Sequence, residues 1–332
     1  GTAKDDIKKA LAASTMSQIG YMVLGAGLGP AGYAFAIMHL LTHGFFKASM
    51  FLGAGSVMHG MNDEVNMRKF GNLRKFMPIT FVTFGLGYLA IIGVPPFAGF
   101  YSKDAIIETA FNAGGAKGII LGSVALLGAA ITAFYMSRVM ILTFTSKARW
   151  DKDAHPHESP ALMWVPIAIL SIGSVTTGYL FTRGHALVNW LAPVVGEHHG
   201  EHEELLKPIV VSGLALLAVV IGVAIALAKY QFAEVAAEAP ENVSVLTRFV
   251  RKDLGQDAFN EAVFMRPGLA LTELAEQVDI SVIDGAVRGV GAAAVGSGSA
   301  LRKSQTGFAR SYAAFILVGS IALLLGIWVV TQ

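Results

Sequence analysis

Apolar residues along this chain gather into windows about as long as a bilayer crossing, separated by charges, prolines or glycine clusters. A hydrocarbon core about 30 Å thick takes roughly 20 mainly apolar residues per helix. Windows of that kind lie near residues 8–28, 31–58, 78–101, 117–145, 160–182, 208–230 and 309–331. They predict an all-α, polytopic transmembrane helix bundle with about seven spans. The third window is interrupted by Gly93-Val94-Pro95-Pro96-Phe97-Ala98-Gly99. Proline removes a backbone donor and stops a helix, and a break at membrane depth is tolerated only where protein or a wet cavity surrounds it. Two readings follow. The helix is discontinuous, as at the ion sites of transporters, or the span ends at Pro95 and leaves Lys103 in an external loop. Hydropathy alone does not separate them.

Between the last two windows the period changes. From about 268 to 305, Leu271, Leu274, Val278, Val282, Ala286, Val290, Ala294, Ser297 and Leu301 recur in steps of three or four, while Glu273, Glu276, Asp284 and Arg288 take other faces. This predicts an amphipathic helix lying along the membrane surface, with Pro267 in its first turn and a length of about 57 Å. Its five glycines from Gly285 to Gly298 each cost about 1 kcal/mol against alanine, so the helix is expected to hold its shape by docking on other helices. A looser linker touching lipid headgroups is the other reading.

Composition agrees with a membrane chain: of 332 residues 54% are hydrophobic and only 14% charged, where soluble domains carry roughly 25%. Twenty-five basic against 23 acidic residues leave no positive excess to hold nucleic acid, and no nucleic-acid partner is expected. With no cysteine, disulfides and thiolate-ligated metals or clusters are excluded. Lysine and arginine are distributed unevenly. Lys4, Lys8, Lys9, Arg68, Lys69, Arg74, Lys75, Lys147, Arg149, Lys152, Lys229 and those from Arg248 to Arg310 fall on one side of seven alternating spans; Lys103, Lys117, Arg183 and Lys207 fall on the other. The basic side is therefore cytoplasmic. No secretory signal pattern opens the chain, which runs from Gly1 directly into Lys4-Asp5-Asp6-Ile7-Lys8-Lys9. A chain that starts mid-pattern is expected to be part of a longer one.

Candidate chemistry centres on the second window, which reads Ala36-Ile37-Met38-His39-Leu40-Leu41-Thr42-His43-Gly44-Phe45-Phe46-Lys47-Ala48. His39, His43 and Lys47 fall at i, i+4 and i+8, on one helix face over about 12 Å. A charge at that depth costs at least about 2.5–3.5 kcal/mol, so it is kept for a reason. Imidazole titrates near neutral pH, and the set reads as a proton path. The plain alternatives are a lysine that reaches the interface and histidines satisfied by backbone carbonyls. Arg138, near the cytoplasmic end of the fourth window, is expected to reach the interface. Lys8 and Asp6 beside Ser14, Thr15 and Ser17 read as an ordinary charged helix start. The run Glu197-His198-His199-Gly200-Glu201-His202-Glu203-Glu204 offers at most weak divalent-metal binding and is expected to be a solvated outer loop. The chain has no GxGxxG, P-loop, GxSxG or HExxH motif, and no metal or cofactor is expected on it.

Three blocks in order, Asp6-Ile7-Lys8-Lys9 with Ser14-Thr15-Met16-Ser17-Gln18-Ile19-Gly20-Tyr21-Met22, then His39 to Ala48, then Gly99-Phe100-Tyr101-Ser102-Lys103-Asp104, resemble the antiporter-like subunits of proton-pumping respiratory NADH-quinone oxidoreductase. The amphipathic segment ahead of a last span, with Gln305-Thr306-Gly307 at the junction, is most similar to the distal member of that family, in its C-terminal portion. The resemblance implies a multi-pass subunit of the bacterial plasma membrane that takes part in a redox-driven translocase. Protons are the transported ion. Flavin, iron–sulfur clusters and quinone are expected on partner subunits, contacted through the lateral helix, with lipids around the rest.

By position, the resemblance makes Lys8 a central-axis lysine, His39, His43 and Lys47 a mid-membrane relay, and Lys103 with Asp104 the step to the outside; Asp6, Ser17 and Thr42 are supporting polar groups. It also moves Lys103 from a loop into the membrane. The implied organisation is a half-channel over 1–150, two more spans and loops over 151–240, a cytoplasmic-side linker and lateral helix over 241–306, and an anchoring helix over 307–332. The family's earlier helices, with their Glu-Lys pair, have no counterpart here. A multisubunit sodium/proton antiporter subunit and a purely structural membrane scaffold are the alternatives.

Overall fold

The computed structural model describes residues 1–151, 153–196, 205–240 and 242–332, without the side chain of Leu246. Among these, every regular element is helical, and one isolated antiparallel bridge joins Asp6 to Asn66. Two compact units form, Gly1–Arg251 and Lys252–Gln332.

In the first unit, α1 (Ile7–Gly27) starts where the Asp6 carboxylate accepts from the Lys8 and Lys9 amides at 2.8 and 3.1 Å, a side-chain N-cap. Backbone bonds from Ile7 to Val65 and from Met67 to Asp5 tie this start to the α2–α3 connection. α2 (Pro30–Gly60) opens on Pro30 and runs 31 residues. Then come α3 (Pro78–Ile92), α4 (Ala98–Phe111), α5 (Gly115–Met140, extended by a π-turn over Ile141–Thr145), α6 (Ala161–Thr182), the short α7 (Ala186–Val195), α8 (Pro208–Ala226) and α9 (Val245–Arg251).

Among the described residues, five helical stretches are long and apolar enough to cross a membrane: Pro30–Gly60, Gly115–Thr145, Ala161–Val195, Pro208–Gln231 and Ala309–Thr331. The protein is multi-pass. Two of the expected seven crossings have a different character. α1 has the length, yet Lys8, Lys9, Ser14, Thr15, Ser17 and Gln18 dilute its hydropathy. The 15-residue α3 reaches only about 22 Å, and its path continues across the 93–97 break into α4. The helix after the break runs to Phe111, ten residues beyond the expected end of the span.

Lipid tails are as apolar as leucine, so these helices are held by close packing and interhelical hydrogen bonds more than by hydrophobic burial. Phe46, Met50 and Val57 of α2 interlock with Phe84 and Ile91 of α3 and with Met136, Val139 and Phe144 around α5. Hydroxyl pairs stitch the same interfaces: Ser49 to Ser171, Ser56 to Thr80 and Ser56 to Ser159, each at 2.7 Å, each contributing roughly 0.6–2 kcal/mol. Val124, Leu127 and Ile131 of α5 and Ile169 and Ile172 of α6 point outward, as lipid-facing residues do.

The second unit is helical without interruption from Gln256 to Lys303. α10 (Gln256–Asn260), α11 (Arg266–Val278) and α12 (Asp284–Lys303) are joined by π-turns over Glu261–Met265 and Asp279–Ile283. The helix starts ahead of Pro267, because the first π-turn leads into the proline, whose ring nitrogen has no bond to give. The second π-turn has a sequence cause. Steps of four from Leu274 to Ala294 drift about 40° each on an ideal α-helix, and a π-turn absorbs an added residue, which takes up part of that drift. α13 (Ala309–Thr331) follows, apolar on all sides and without a buried residue.

Candidate functional site

Burial separates the polar residues of the first unit into two kinds. On α1 the buried stripe is Ile7, Ala10, Leu11, Ser14, Gln18, Tyr21 and Gly25; on α2, His39, Thr42, His43, Lys47 and Ser49 are all buried. These faces meet. The Lys47 Nζ donates to the Leu11 carbonyl at 2.5 Å and to the Ser14 Oγ, and lies 5.1 Å from the Phe51 ring centroid. Within α1 the Ser14 hydroxyl donates to the same Leu11 carbonyl at 2.9 Å. Carbonyls inside a helix are already engaged along it, so Lys47 shares that of Leu11 and takes the Ser14 side-chain oxygen as well.

One and two turns back on α2, the His43 and His39 rings stand 6.1 Å apart, centroid to centroid. His39 is fully buried between Gln18 Oε1 at 3.1 Å and Ser102 Oγ at 2.8 Å. Ser102 also lies 3.0 Å from the Thr42 hydroxyl. One serine of α4 thus joins His39 and Thr42 to the residue that follows it, Lys103.

Lys103 is 1% exposed. The external-loop reading therefore fails: α4 carries this side chain into the protein. Its Nζ donates to the carbonyls of Ile91 and Ile92 at 3.2 and 2.8 Å. The reason lies in how α3 ends. Gly93 takes a left-handed conformation (φ +86°), its amide bonding to Ala90 O while the Val94 amide bonds to Leu89 O. This glycine C-cap satisfies two of the four carbonyls orphaned at any helix end. The Lys103 ammonium takes the other two, where the helix dipole also favours a cation. A Cβ at Gly93 would lie 2.9 Å from the Lys103 Nζ and 3.7 Å from Asp104 Oδ1, so both charged groups face the break. Gly99 permits the close return of the chain, since a Cβ there would lie 1.9 Å from the Ala90 carbonyl oxygen.

Asp104 is buried, with Oδ1 lacking a protein partner. It lines a cavity of about 290 Å³ with Tyr101, Glu108, Thr182, His185 and Ser212. Gln18 Nε2 and His43 Nε2 are likewise buried without a protein partner. Since buried polar groups are almost always hydrogen-bonded, three unpartnered atoms along one path mark positions suited to water.

Of the sequence candidates, His39, Thr42, His43, Lys47, Lys103 and Asp104 come together. Lys8 does not join them: it is exposed on the first turn of α1, off the buried stripe, and Asp6 is its helix cap. Ser17 faces α5, 3.5 Å from the Thr132 hydroxyl. Arg138 corrects the interface-reaching expectation. It is 2% exposed, ion-paired to Asp5 and stacked 5.4 Å from the Tyr230 ring centroid, so the chain start brings it a carboxylate. Asp5 also pairs with Arg68 at 2.9 Å. The histidine-rich run 197–204 lies outside the described residues. Sequence reasoning missed Gln18 and Ser102 as connectors. The only available signal was polarity at buried-stripe positions.

Residues 1–147 match the family described as NADH:quinone oxidoreductase/Mrp antiporter, transmembrane. Over 330 residues the chain is 56% identical to NADH-quinone oxidoreductase subunit L of Mycobacterium tuberculosis, in an alignment that covers 99% of this chain and 52% of the relative. Residues 1–147 belong to this antiporter-like family. Another relative, NAD(P)H-quinone oxidoreductase chain 5 of Picosynechococcus, is 37% identical over 353 residues, covering 96% of this chain and 52% of the relative. The antiporter-like fold recurs in the Mrp complex of Dietzia (TM-score 0.55, 23% identity, 90% of this chain and 32% of that one). It recurs again in an archaeal membrane-bound sulfane sulfur reductase (TM-score 0.57, 21% identity, 98% and 53%). The chain spans about half the length of the curated relatives it matches. Family and membrane character stand as the three sequence blocks implied.

Proposed function

We propose that this chain is the proton-translocating C-terminal portion of a subunit of L type in a respiratory NADH-quinone oxidoreductase of the bacterial plasma membrane. It acts as a membrane part of a redox-driven translocase, with flavin, iron–sulfur clusters and quinone on partner subunits. The observation that carries this reading is the buried sequence Lys47, His43, His39, Ser102, Lys103, Asp104. A structural scaffold has no need to bury so many titratable groups at such cost.

Protons pass from Lys47 through His43 and His39 to Lys103, bridged by water at the unpartnered nitrogens, and leave by Asp104 and the cavity that contains Glu108 and His185. Two unit charges about 12 Å apart interact by about 1.4 kcal/mol at an effective dielectric near 20, so charging one amine biases the next. Lys8, exposed on the first turn of α1, stands outside this path, and Lys47 is held by Leu11 and Ser14 of the same helix. The run from Gln256 to Lys303 lies along the cytoplasmic side and braces neighbouring subunits, with α13 as anchor. Its amphipathic stripe and exposed faces support this, and deleting it should release the subunit from the complex in mild detergent; full retention would remove that role.

Lys47→Met and Lys103→Met, each in the full-length subunit within its complex, should reduce proton pumping at least tenfold while the electron-transfer subunits stay attached. Undiminished pumping by either variant would overturn the role of that lysine. The rival assignment, a multisubunit sodium/proton antiporter subunit, draws on the Mrp name in the matched family. Copurification with flavin and iron–sulfur proteins decides against it.

A further inference from the structure

The connection between α5 and α6 returns one carboxylate to the start of α3. Glu158 Oε2 accepts from the amides of Ile79 and Thr80 at 2.8 and 3.2 Å, and its Oε1 accepts from the Thr80 hydroxyl at 2.5 Å. Thr80 is linked onward to Ser56 of α2, and Ser56 to Ser159, each at 2.7 Å. A Cβ at Gly60 would lie 2.4 Å from the His157 carbonyl oxygen. Residues 157–159 are therefore strapped against α2 and α3 together.

The accounting at the start of α3 mirrors the accounting at its end. Pro78 has no amide hydrogen, Met77 N bonds to Leu73 O and Phe81 N to Met77 O, and the two remaining orphans are the pair held by Glu158. At the far end the two carbonyls left over by the glycine cap are the pair held by Lys103. An anion thus sits at the positive pole of α3 and a cation at its negative pole, both orientations favoured by the helix dipole. α3 is too short to span a bilayer, and lipid cannot hydrogen-bond a frayed turn, so these two ends set its axial position together with the packing of Phe84 and Ile91 against α2.

We propose that Glu158 is a positioning residue for the relay: by capping α3 from the α5–α6 connection it holds the Ile91 and Ile92 carbonyls in register with Lys103. An axial slip of one residue, about 1.5 Å, takes both carbonyls out of hydrogen-bond range. The titratable groups facing Lys103 are Asp104 on its own helix and His39 on α2, and Asp104 in turn faces Glu108, Tyr21 on α1 and His185 beside α7. The hydrogen bonds of Glu158 run to Ile79 and Thr80 of α3, so a change seen at Lys103 reports α3. The inference rests on the proton-relay reading.

The test compares Glu158→Ala, Glu158→Gln and Glu158→Asp with Lys103→Met in the full-length subunit of the assembled complex, reading proton pumping against electron transfer between pH 6 and pH 9. A helix cap of this kind is worth about a fivefold change in population. Glu158→Ala should therefore lower pumping about fivefold and displace its pH profile to lower pH, as the ammonium loses carbonyl ligands. Glu158→Gln should show a smaller displacement in the same direction, and Glu158→Asp should restore the parent profile. If the Ala and Gln variants assemble and pump with the parent profile while Lys103→Met does not pump, the positioning role is overturned. Loss of amplitude with no displacement in any variant overturns it equally. If Lys103→Met itself pumps normally, the relay reading is what fails.

Discussion

Two buried lysines of this bundle are held in opposite ways. Lys47 stands on an unbroken 31-residue helix and reaches across to α1, where a single carbonyl, already engaged by the Ser14 hydroxyl, receives it. Lys103 sits just past a break and is received by two carbonyls that no other group satisfies. A carbonyl inside an intact helix is already engaged along that helix, so a lysine that uses one shares it and takes a side-chain oxygen as well, as Lys47 does with Leu11 and Ser14. An interrupted helix releases main-chain oxygens at a fixed place. Removal of the first lysine therefore leaves its carbonyl still paired with Ser14, whereas the second is built into the end of α3 and cannot be removed without exposing that end.

The harshest way to break this contrast is to push the two sides of the break apart. Gly99→Ala puts a methyl group where the Ala90 carbonyl oxygen stands, forcing α3 and α4 apart. The expected cost is at least about 3 kcal/mol, the upper end of ordinary overpacking, read as loss of the folded subunit in thermal melts of the solubilised complex; an unchanged melt would mean the approach of α4 to α3 is dispensable. Next comes a direct comparison of the two lysines. Lys103→Met leaves two buried carbonyls unsatisfied at about 1–3 kcal/mol each, whereas Lys47→Met leaves Leu11 O with its serine partner, at less than about 1 kcal/mol. The melting temperature of the first variant should fall clearly below that of the second, and the reverse order would dissolve the distinction. The mildest test concerns the link between the two regions. Ser102→Ala removes the hydroxyl shared by His39 and Thr42 and should slow pumping roughly fivefold, the effect of one net hydrogen bond, without lowering the melting temperature as far as Lys103→Met does. Parent-like pumping would show that Ser102 is not on the path.

Much of this was legible in the chain itself, because long apolar windows and the prolines of 93–99 are local signals. α2, α5, α6, α8 and α13 follow the windows closely, and the face of His39, His43 and Lys47 follows from helical spacing alone. Lys103 was not legible from hydropathy, since burial of an amine depends on carbonyls eleven and twelve residues earlier in the chain. Gln18 and Ser102 read as ordinary polar residues of apolar helices, and their meaning comes from packing α1 and α4 on either side of α2. Arg138 was misread for the same reason: its carboxylate, Asp5, lies 133 residues away. Lys8 illustrates the converse, a charged group conspicuous in the sequence and exposed in the fold. The π-turn over Asp279–Ile283 lies between these cases, foreshadowed by a run of steps of four but identifiable only once the backbone is seen.

The oxygens that bind the Lys103 amine belong to peptide groups, and every amino acid supplies the same one. A genetic screen that swaps side chains at 91 and 92 for others of similar size and greasiness will pass over this half of the site, because the ligand is written in the path of the backbone and not in the alphabet the screen can edit. Backbone ester substitution at the peptide groups that carry those two oxygens, which weakens a carbonyl as an acceptor while leaving each isoleucine in place, is the kind of chemistry that can reach it.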